Sequence, residues 1–189
     1  ELEAGDYLIK LIKGKDTLST KLTINNNPDV NHSAADRQLR RESLLKAYNL
    51  LEELAYVDYQ AIEIRKQTLA LADSVKNKGL RANSFKYADK MAAMHEKISA
   101  TQPGEGGVAG QIRLREKIAE VYSAIGSYEG KPTDLQLAAL SVYVDAVKAM
   151  QSELDTLIKG DLANYNAGIV RAGLQPVKVS DKATFMQSK

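Results

Sequence analysis

Residues 43–75 read SLLKAYNLLEELAYVDYQAIEIRKQTLALADSV, and this stretch decides the fold. Its apolar side chains recur with the alternating three- and four-residue spacing of one face of an α-helix. No proline or glycine interrupts the chain between Ser33 and Asn77. Eight of the nine positions on this stripe are apolar, which predicts a long helix with a buried face: Ala47, Leu50, Leu54, Val57, Ala61, Ile64, Thr68, Leu71 and Val75.

The limits of this first helix follow from its flanking residues. Ser33 reads as the N-cap, with Asp36 three residues later as a capping box, and Gly79 as a C-cap. A second apolar stripe widens the buried face, so the helix should pack against at least two neighbours rather than in a two-stranded coiled coil. This second stripe contains Leu44, Tyr48, Leu51, Ala55, Ile62 and Leu69.

Three further helices are predicted along the chain. The second covers about residues 84–100 and the third about residues 111–128. The fourth begins after Thr133, whose capping box includes Gln136, and ends at Gly173 and Pro176. We therefore predict an all-α protein, an antiparallel bundle of four helices of which the first and fourth are long and the other two short.

Two arrangements of the short helices fit these lengths. In the first, which we favour, they reverse at the glycine-rich segment 102–110 and form a short hairpin over one half of a long antiparallel pair. In the second, they run end to end as one broken arm of a three-arm bundle. The first arrangement leaves half of the long pair uncovered.

Residues 4–24, AGDYLIKLIKGKDTLSTKLTI, predict a β-hairpin in front of the helices. Lys13 to Asp16 form its turn, with Gly14 free to adopt a positive φ. Leu18, Leu22 and Ile24 alternate with polar residues, whereas the first strand is apolar on both faces. Since an isolated hairpin is only marginally stable, we expect it to bury these faces against the bundle or a second copy. A homodimer through the outer edge of residues 17–24 is one such arrangement.

The chain thus divides into three parts. Residues 1–30 form the hairpin with its linker. Residues 31–177 form the helical bundle. Residues 178–189 are polar and are predicted to be a flexible tail.

Composition excludes several classes of function. The 26 Lys and Arg residues exceed the 24 Asp and Glu residues by only two, which is too little for a nucleic-acid surface. The densest basic stretch, from Arg37 through Arg40 and Arg41 to Lys46, reads as a solvated helix face. The sequence contains no run of about 18 apolar residues, which a membrane-spanning helix would need. The chain contains no cysteine, which excludes disulfides and thiolate chemistry.

The usual catalytic and metal-binding patterns are missing. Of the two histidines, His95 is followed by Glu96, but the metalloprotease pattern HExxH needs a histidine where Ser99 stands. Residues 104–109 match G-x-G-x-x-A, yet they lie between two helices and not after a strand, so they read as a connection. We expect no catalytic residues, no metal and no cofactor, and hence no enzyme.

One group of side chains could form an interaction surface. Tyr56 and Tyr59 lie close together on the first helix, and tyrosine can hold a peptide or a glycan at a surface. Asp58 falls between them in sequence, and a buried ion pair of Asp58 with Arg65 would be structural in the first place. A ligand-binding module built on Tyr56, Asp58 and Tyr59 is therefore our second functional hypothesis.

Longer stretches resemble a known family. The hairpin with its linker NNNPDV, the stretch LREKIAEVYSAIGSYEGKPTDLQLAALSVYVDAVKAMQSEL and the stretch DLANYNAGIVRAGLQPV resemble the C-terminal region of bacterial sortilin-like, BNR (Asp-box) repeat glycosyl-hydrolase-like β-propeller proteins. In this resemblance the hairpin is the last one of a β-sandwich, and Gly5 to Tyr7 look like its tyrosine corner. The glycine-rich segment and the longer linker depart from the family's pattern.

The resemblance implies a setting for the chain. Any catalytic site would lie in an upstream propeller of the same polypeptide, and the protein would be exported to the periplasm or the extracellular space. The 189 residues include none of the propeller, so no catalytic or ligand-binding residue of the family can be assigned to this sequence. Our leading hypothesis is therefore a non-catalytic accessory or protein-interaction domain of a larger exported protein.

Overall fold

A computed structural model describes residues 2, 4–28, 30, 32–100 and 112–187. The chain is mostly helical with a two-stranded hairpin at its N-terminus, which confirms the predicted fold class. The predicted glycine-rich connection lies outside the described residues. The elements are β1 (Gly5–Lys13), β2 (Asp16–Ile24), α1 (Ala34–Ser74), α2 (Lys78–Ile98), α3 (Leu114–Gly126), α4 (Asp134–Leu157), a π-helical turn (Ile158–Leu162), α5 (Ala163–Arg171) and α6 (Lys182–Gln187).

The two short helices run end to end along α1. His95, near the end of α2, contacts Asp58 in the middle of α1. Farther along the chain, the carbonyl of Ile125 at the end of α3 accepts a hydrogen bond from Arg40, near the start of α1. The predicted hairpin of the two short helices is therefore wrong, and the bundle has three arms: α1, then α2 with α3, then α4 with α5.

The first and third arms run parallel to each other. Gly130, just before α4, lies next to His32, just before α1. At the other end, Gly168 of α5 lies against Leu80, close to the end of α1. The predicted antiparallel pairing of the first and fourth helices is wrong because an end-to-end middle arm returns the chain to the end where α1 begins.

The apolar stripe of α1 forms the centre of the core. All of its predicted positions are buried except Leu71, which is partly buried and packs against the core. The second stripe is less completely covered, and Tyr48 and Ile62 are exposed. From the other two arms, large buried side chains pack against this stripe, including Met91, Met94, Ile98, Ile118, Leu140, Leu154 and Ile169.

Most helix boundaries follow the predicted caps. The capping boxes of Ser33 with Asp36 and of Thr133 with Gln136 are both formed. Gly79 does not cap α1, because α1 ends at Ser74 and Asn77 caps α2 by accepting a hydrogen bond from the backbone N–H of Leu80. The helix α2 therefore starts earlier than predicted.

The third arm is interrupted where glycine weakens it. A π-helical turn that contains Gly160 separates α4 from α5. A Cβ added to Gly168 would lie 3.1 Å from the side chain of Leu80, so glycine permits the close approach of α5 to α2. Gly173, with a φ of +76°, then ends α5 as predicted. In the described part of the chain, no helix combines the length and apolar character that crossing a membrane requires.

Arg40 corrects the interpretation of the basic stretch as a solvated face. Its side chain is buried, and its guanidinium donates hydrogen bonds to the carbonyls of Ile125, Gly126 and Tyr128. These carbonyls belong to the C-terminal end of α3, where helical partners are missing and the helix dipole favours a positive charge. Arg40 therefore ties the start of α1 to the end of α3.

Replacing Arg40 with alanine should destabilise the bundle. Loss of hydrogen bonds from a charged donor to buried carbonyls costs about 3 kcal/mol, which corresponds to a fall in Tm of roughly 6–12 °C for a chain of this size. Thermal unfolding followed by circular dichroism measures the change. Arg65→Ala, at an exposed position of the same helix, is the matched control and should shift stability by less than about 0.5 kcal/mol. Equal losses in both variants would contradict this role of Arg40.

Candidate functional site

The hairpin presents an exposed apolar face. Its register pairs Tyr7 with Leu22, Ile9 with Thr20 and Leu11 with Leu18, which confirms the predicted alternation. Leu11 is 64% exposed and Leu18 is 70% exposed. We call this surface the apolar hairpin face; its members are Tyr7, Ile9, Leu11, Leu18, Leu22 and Ile24.

The opposite face of the hairpin is mixed. Leu8 and Ile12 are exposed there beside Lys10 and Lys21. Each strand also keeps one edge whose backbone groups have no strand partner within the described part of the chain. The expectation that the bundle covers the hairpin is wrong, since these side chains remain exposed although the helices are fully assembled.

A cavity of about 500 Å³ separates the base of the hairpin from the start of α1. Asn26, His32, Arg37 and Arg41 are among the residues that line it. Arg37 donates a hydrogen bond to the carbonyl of His32, and the His32 ring packs edge-on against the ring of Tyr128. These contacts hold His32 beside the start of α1, so the cavity is part of the junction between hairpin and bundle.

Tyr56 and Tyr59 lie together, as predicted, but the chain's own C-terminal segment covers them. The ring of Phe185 in α6 lies 5.5 Å from the ring of Tyr56 and 5.4 Å from that of Tyr59. The hydroxyl of Tyr56 donates a hydrogen bond to the carbonyl of Ser180. Burial, together with the nearby carboxylate of Asp181, raises the pKa of the Tyr56 phenol.

Asp58 is not part of this surface. It faces α2, where its carboxylate lies 2.6 Å from Nδ1 of His95, while Arg65 is exposed. The expected pair of Asp58 with Arg65 is therefore wrong. Residues 56 and 59 are three apart and share a helix face, whereas residue 58 is turned well away from it.

Residues 177–187 lie against the bundle, which differs from the loose tail predicted for residues 178–189. The amide of Gln67 both donates to the carbonyl of Lys178 and accepts from its N–H, each at 2.9 Å. Asn166 binds both backbone groups of Val177 in the same way, again at 2.9 Å. The sequence carried signals for this contact: glutamines beside the apolar stripe of α1, and Phe185 within an otherwise polar segment.

A cluster of buried hydroxyl groups lies beside the π-helical turn. The rings of Tyr87 and Tyr165 stack with their centroids 6.0 Å apart. The Tyr165 hydroxyl lies 2.8 Å from that of Ser84, and Tyr87 donates to the carbonyl of Leu157. Burial raises the pKa of both phenols. Tyr87 thus pairs with the last carbonyl of α4, and Tyr165 pairs with a hydroxyl of α2.

The described residues include no group of three or more metal-ligating side chains that could hold an ion.

Comparison of the chain with protein-family models, curated proteins and solved structures finds no match. The resemblance to sortilin-like and BNR repeat proteins therefore stays a prediction.

The tyrosine cluster predicts a loss of stability at alkaline pH. The folded pKa of Tyr87 lies above its unfolded value near 10, so its contribution is complete below pH 10 and is lost as the pH rises toward the folded pKa. We expect Tm to fall by about 3–5 °C per pH unit above pH 10 through this group. Tyr87→Phe should reduce the slope, whereas Tyr48→Phe, at an exposed position, should leave it unchanged. Parallel curves for all three proteins would contradict the assignment.

Proposed function

We propose that the chain is a non-catalytic accessory module whose hairpin completes a β-sheet of another domain. The observation that carries the proposal is the apolar hairpin face, of which Ile9, Leu11, Leu18 and Leu22 stay exposed on a fully assembled bundle. Contiguous exposed apolar surface on a folded protein marks an interaction site.

A β-sheet is the partner that this surface fits best. Both strands have nine residues, which is longer than the usual strand, and each offers a free edge to a neighbouring strand. The faces also differ: Lys10 and Lys21 lie on the mixed face, whereas on the apolar side Lys13 pairs with Asp16 next to the turn. In a β-sandwich the apolar face would pack on the second sheet about 10 Å away, and Lys10 and Lys21 would face solvent.

The bundle serves as a brace or spacer in this proposal. The 41 residues of α1 form a rod about 60 Å long, packed along its length by the two other arms. In this proposal the rod spaces whatever binds the hairpin from other parts of the assembly.

The family resemblance supports one partner in particular. If the hairpin is the last one of a sandwich behind a β-propeller, the partner is an upstream domain of the same polypeptide. The module then belongs to an exported, periplasmic or extracellular protein, and catalysis or ligand binding resides in the propeller. Hydrolysis of glycosides by the 189-residue chain, abolished by replacing its carboxylates, would contradict the non-catalytic assignment.

Hydrogen–deuterium exchange tests the sheet partner. The 189-residue chain is compared with the same chain carrying the residues encoded directly before it. In the longer protein we expect slower exchange for the outward-facing backbone amides of residues 5–24. Unchanged exchange, or a gene without an upstream β domain, would contradict the proposed partner.

Charges on the apolar hairpin face should abolish docking without weakening the bundle. Leu11→Lys with Leu18→Glu keeps the net charge and changes two exposed side chains, so Tm of the 189-residue chain should shift by less than about 2 °C. In the longer protein the same variant should lose the slow exchange. Ile12→Lys, on the mixed face and 68% exposed, is the matched control and should retain it.

A homodimer is the competing occupant of the hairpin. Pairing of β2 edges from two copies would give dimers whose fraction rises with concentration in light scattering, and Leu18→Glu should weaken them. Such dimers in the longer protein would assign the hairpin to a second copy and would contradict docking within one polypeptide.

A further inference from the structure

The C-terminal segment is held by a clamp of side-chain amides. Gln67 on α1 and Asn166 on α5 each bind both the N–H and the carbonyl of one residue, at Lys178 and Val177. Gln60 precedes Gln67 by about two turns on the same face of α1, and its side-chain amide donates to the carbonyl of Ser180 at 2.9 Å. The clamp therefore binds an extended stretch through its main chain.

Such a clamp tolerates different sequences. Every polypeptide offers the same backbone N–H and carbonyl groups, so recognition of the clamped residues does not depend on their side chains. Selectivity comes from the anchors on either side. Val177 is buried at one end, and Phe185 is buried between Tyr56 and Tyr59 at the other.

Residues 177–187 leave one polar atom on this surface of the bundle without a hydrogen bond within the described part of the chain. Gln60 is only 6% exposed, and its Oε1 atom is buried with no hydrogen-bond partner among the described residues. The other two amides of the clamp use both of their polar atoms. Buried polar atoms are normally paired, so an occupant that offered this atom a donor would satisfy the groove better than the present one.

Space also remains beside the aromatic anchor. A cavity of about 470 Å³ lies between α1 and α4, next to α6. Glu53 and Asp155 line it together with Lys148, and the C-terminal segment adds Lys182. With that segment removed, two carboxylates face one lysine, which favours a basic residue in the occupant.

We propose that this groove is a peptide-binding site, which residues 177–187 occupy in cis. Its ligand is a segment of a partner protein with the chemistry of that occupant: an extended stretch, then a basic residue, then an aromatic residue three positions later. The site lies apart from the hairpin and does not depend on its role.

A single side chain anchors the α6 end of the cis segment in the groove. The short helix α6 buries Phe185 alone, and its other described side chains are exposed. An intramolecular occupant lowers the apparent affinity of a competing peptide by the fraction of time for which the groove is open. Weakening the aromatic anchor should therefore expose the site.

Fluorescence anisotropy with a labelled peptide tests this site. The probe is the sequence of residues 176–187, PVKVSDKATFMQ. We expect it to bind the Phe185→Ala chain at least tenfold more tightly than the wild type, because the cis segment of the variant competes less well. In the Phe185→Ala background, Gln67→Ala should lose at least tenfold in affinity. Gln38→Ala, at an exposed position of the same helix, should change nothing.

A second measurement uses only the wild-type chain. Hydrogen–deuterium exchange at the amides of Val177 and Lys178, which the clamp protects, should become faster when excess peptide displaces the cis segment. Binding that is insensitive to Gln67→Ala would overturn the proposal, as would unchanged exchange at saturating peptide. Dimers that exchange their C-terminal segments would show that a second copy of this chain occupies the groove. That result would overturn the proposal that the ligand belongs to a partner protein.

Discussion

Burial of the apolar stripe on α1 requires neighbours along some 60 Å of helix, and neither short helix is long enough to supply them alone. The chain meets this requirement by laying α2 and α3 end to end, so that together they cover the stripe from one end to the other. A hairpin of the two would have left half of the stripe in water. The parallel course of the first and third arms follows from the same requirement.

Local patterns predict local structure well in this chain. The spacing of Leu50, Leu54 and Val57 predicts the buried face of α1, and Ser33 and Thr133 fix the starts of two helices, because these signals act within a few residues. The course of the middle arm depends instead on Arg40 and carbonyls 85 residues away. No periodicity in either segment records that contact.

In the candidate sites too, local features could be predicted from the sequence, whereas tertiary contacts could not. Tyr56 and Tyr59 are recognisable as a pair because they share a helix face, but their cover by Phe185 is a tertiary contact within a segment of polar composition. Gln60 and Gln67 look like ordinary surface glutamines until the segment they hold is seen. The two surfaces also differ in kind: the hairpin offers apolar area and strand edges, whereas the groove offers directed hydrogen bonds.

The sequence distance between Arg40 and the end of α3 has a consequence for folding during synthesis. The ribosome adds about 5–20 residues per second, so several seconds pass while the chain grows by the 85 residues from Arg40 to Ile125. During that interval the first half of α1 has emerged with its apolar stripe exposed, and the hairpin, whose strands are adjacent, can already have closed. Burial of this part of the stripe therefore has to wait until the middle arm has been synthesised.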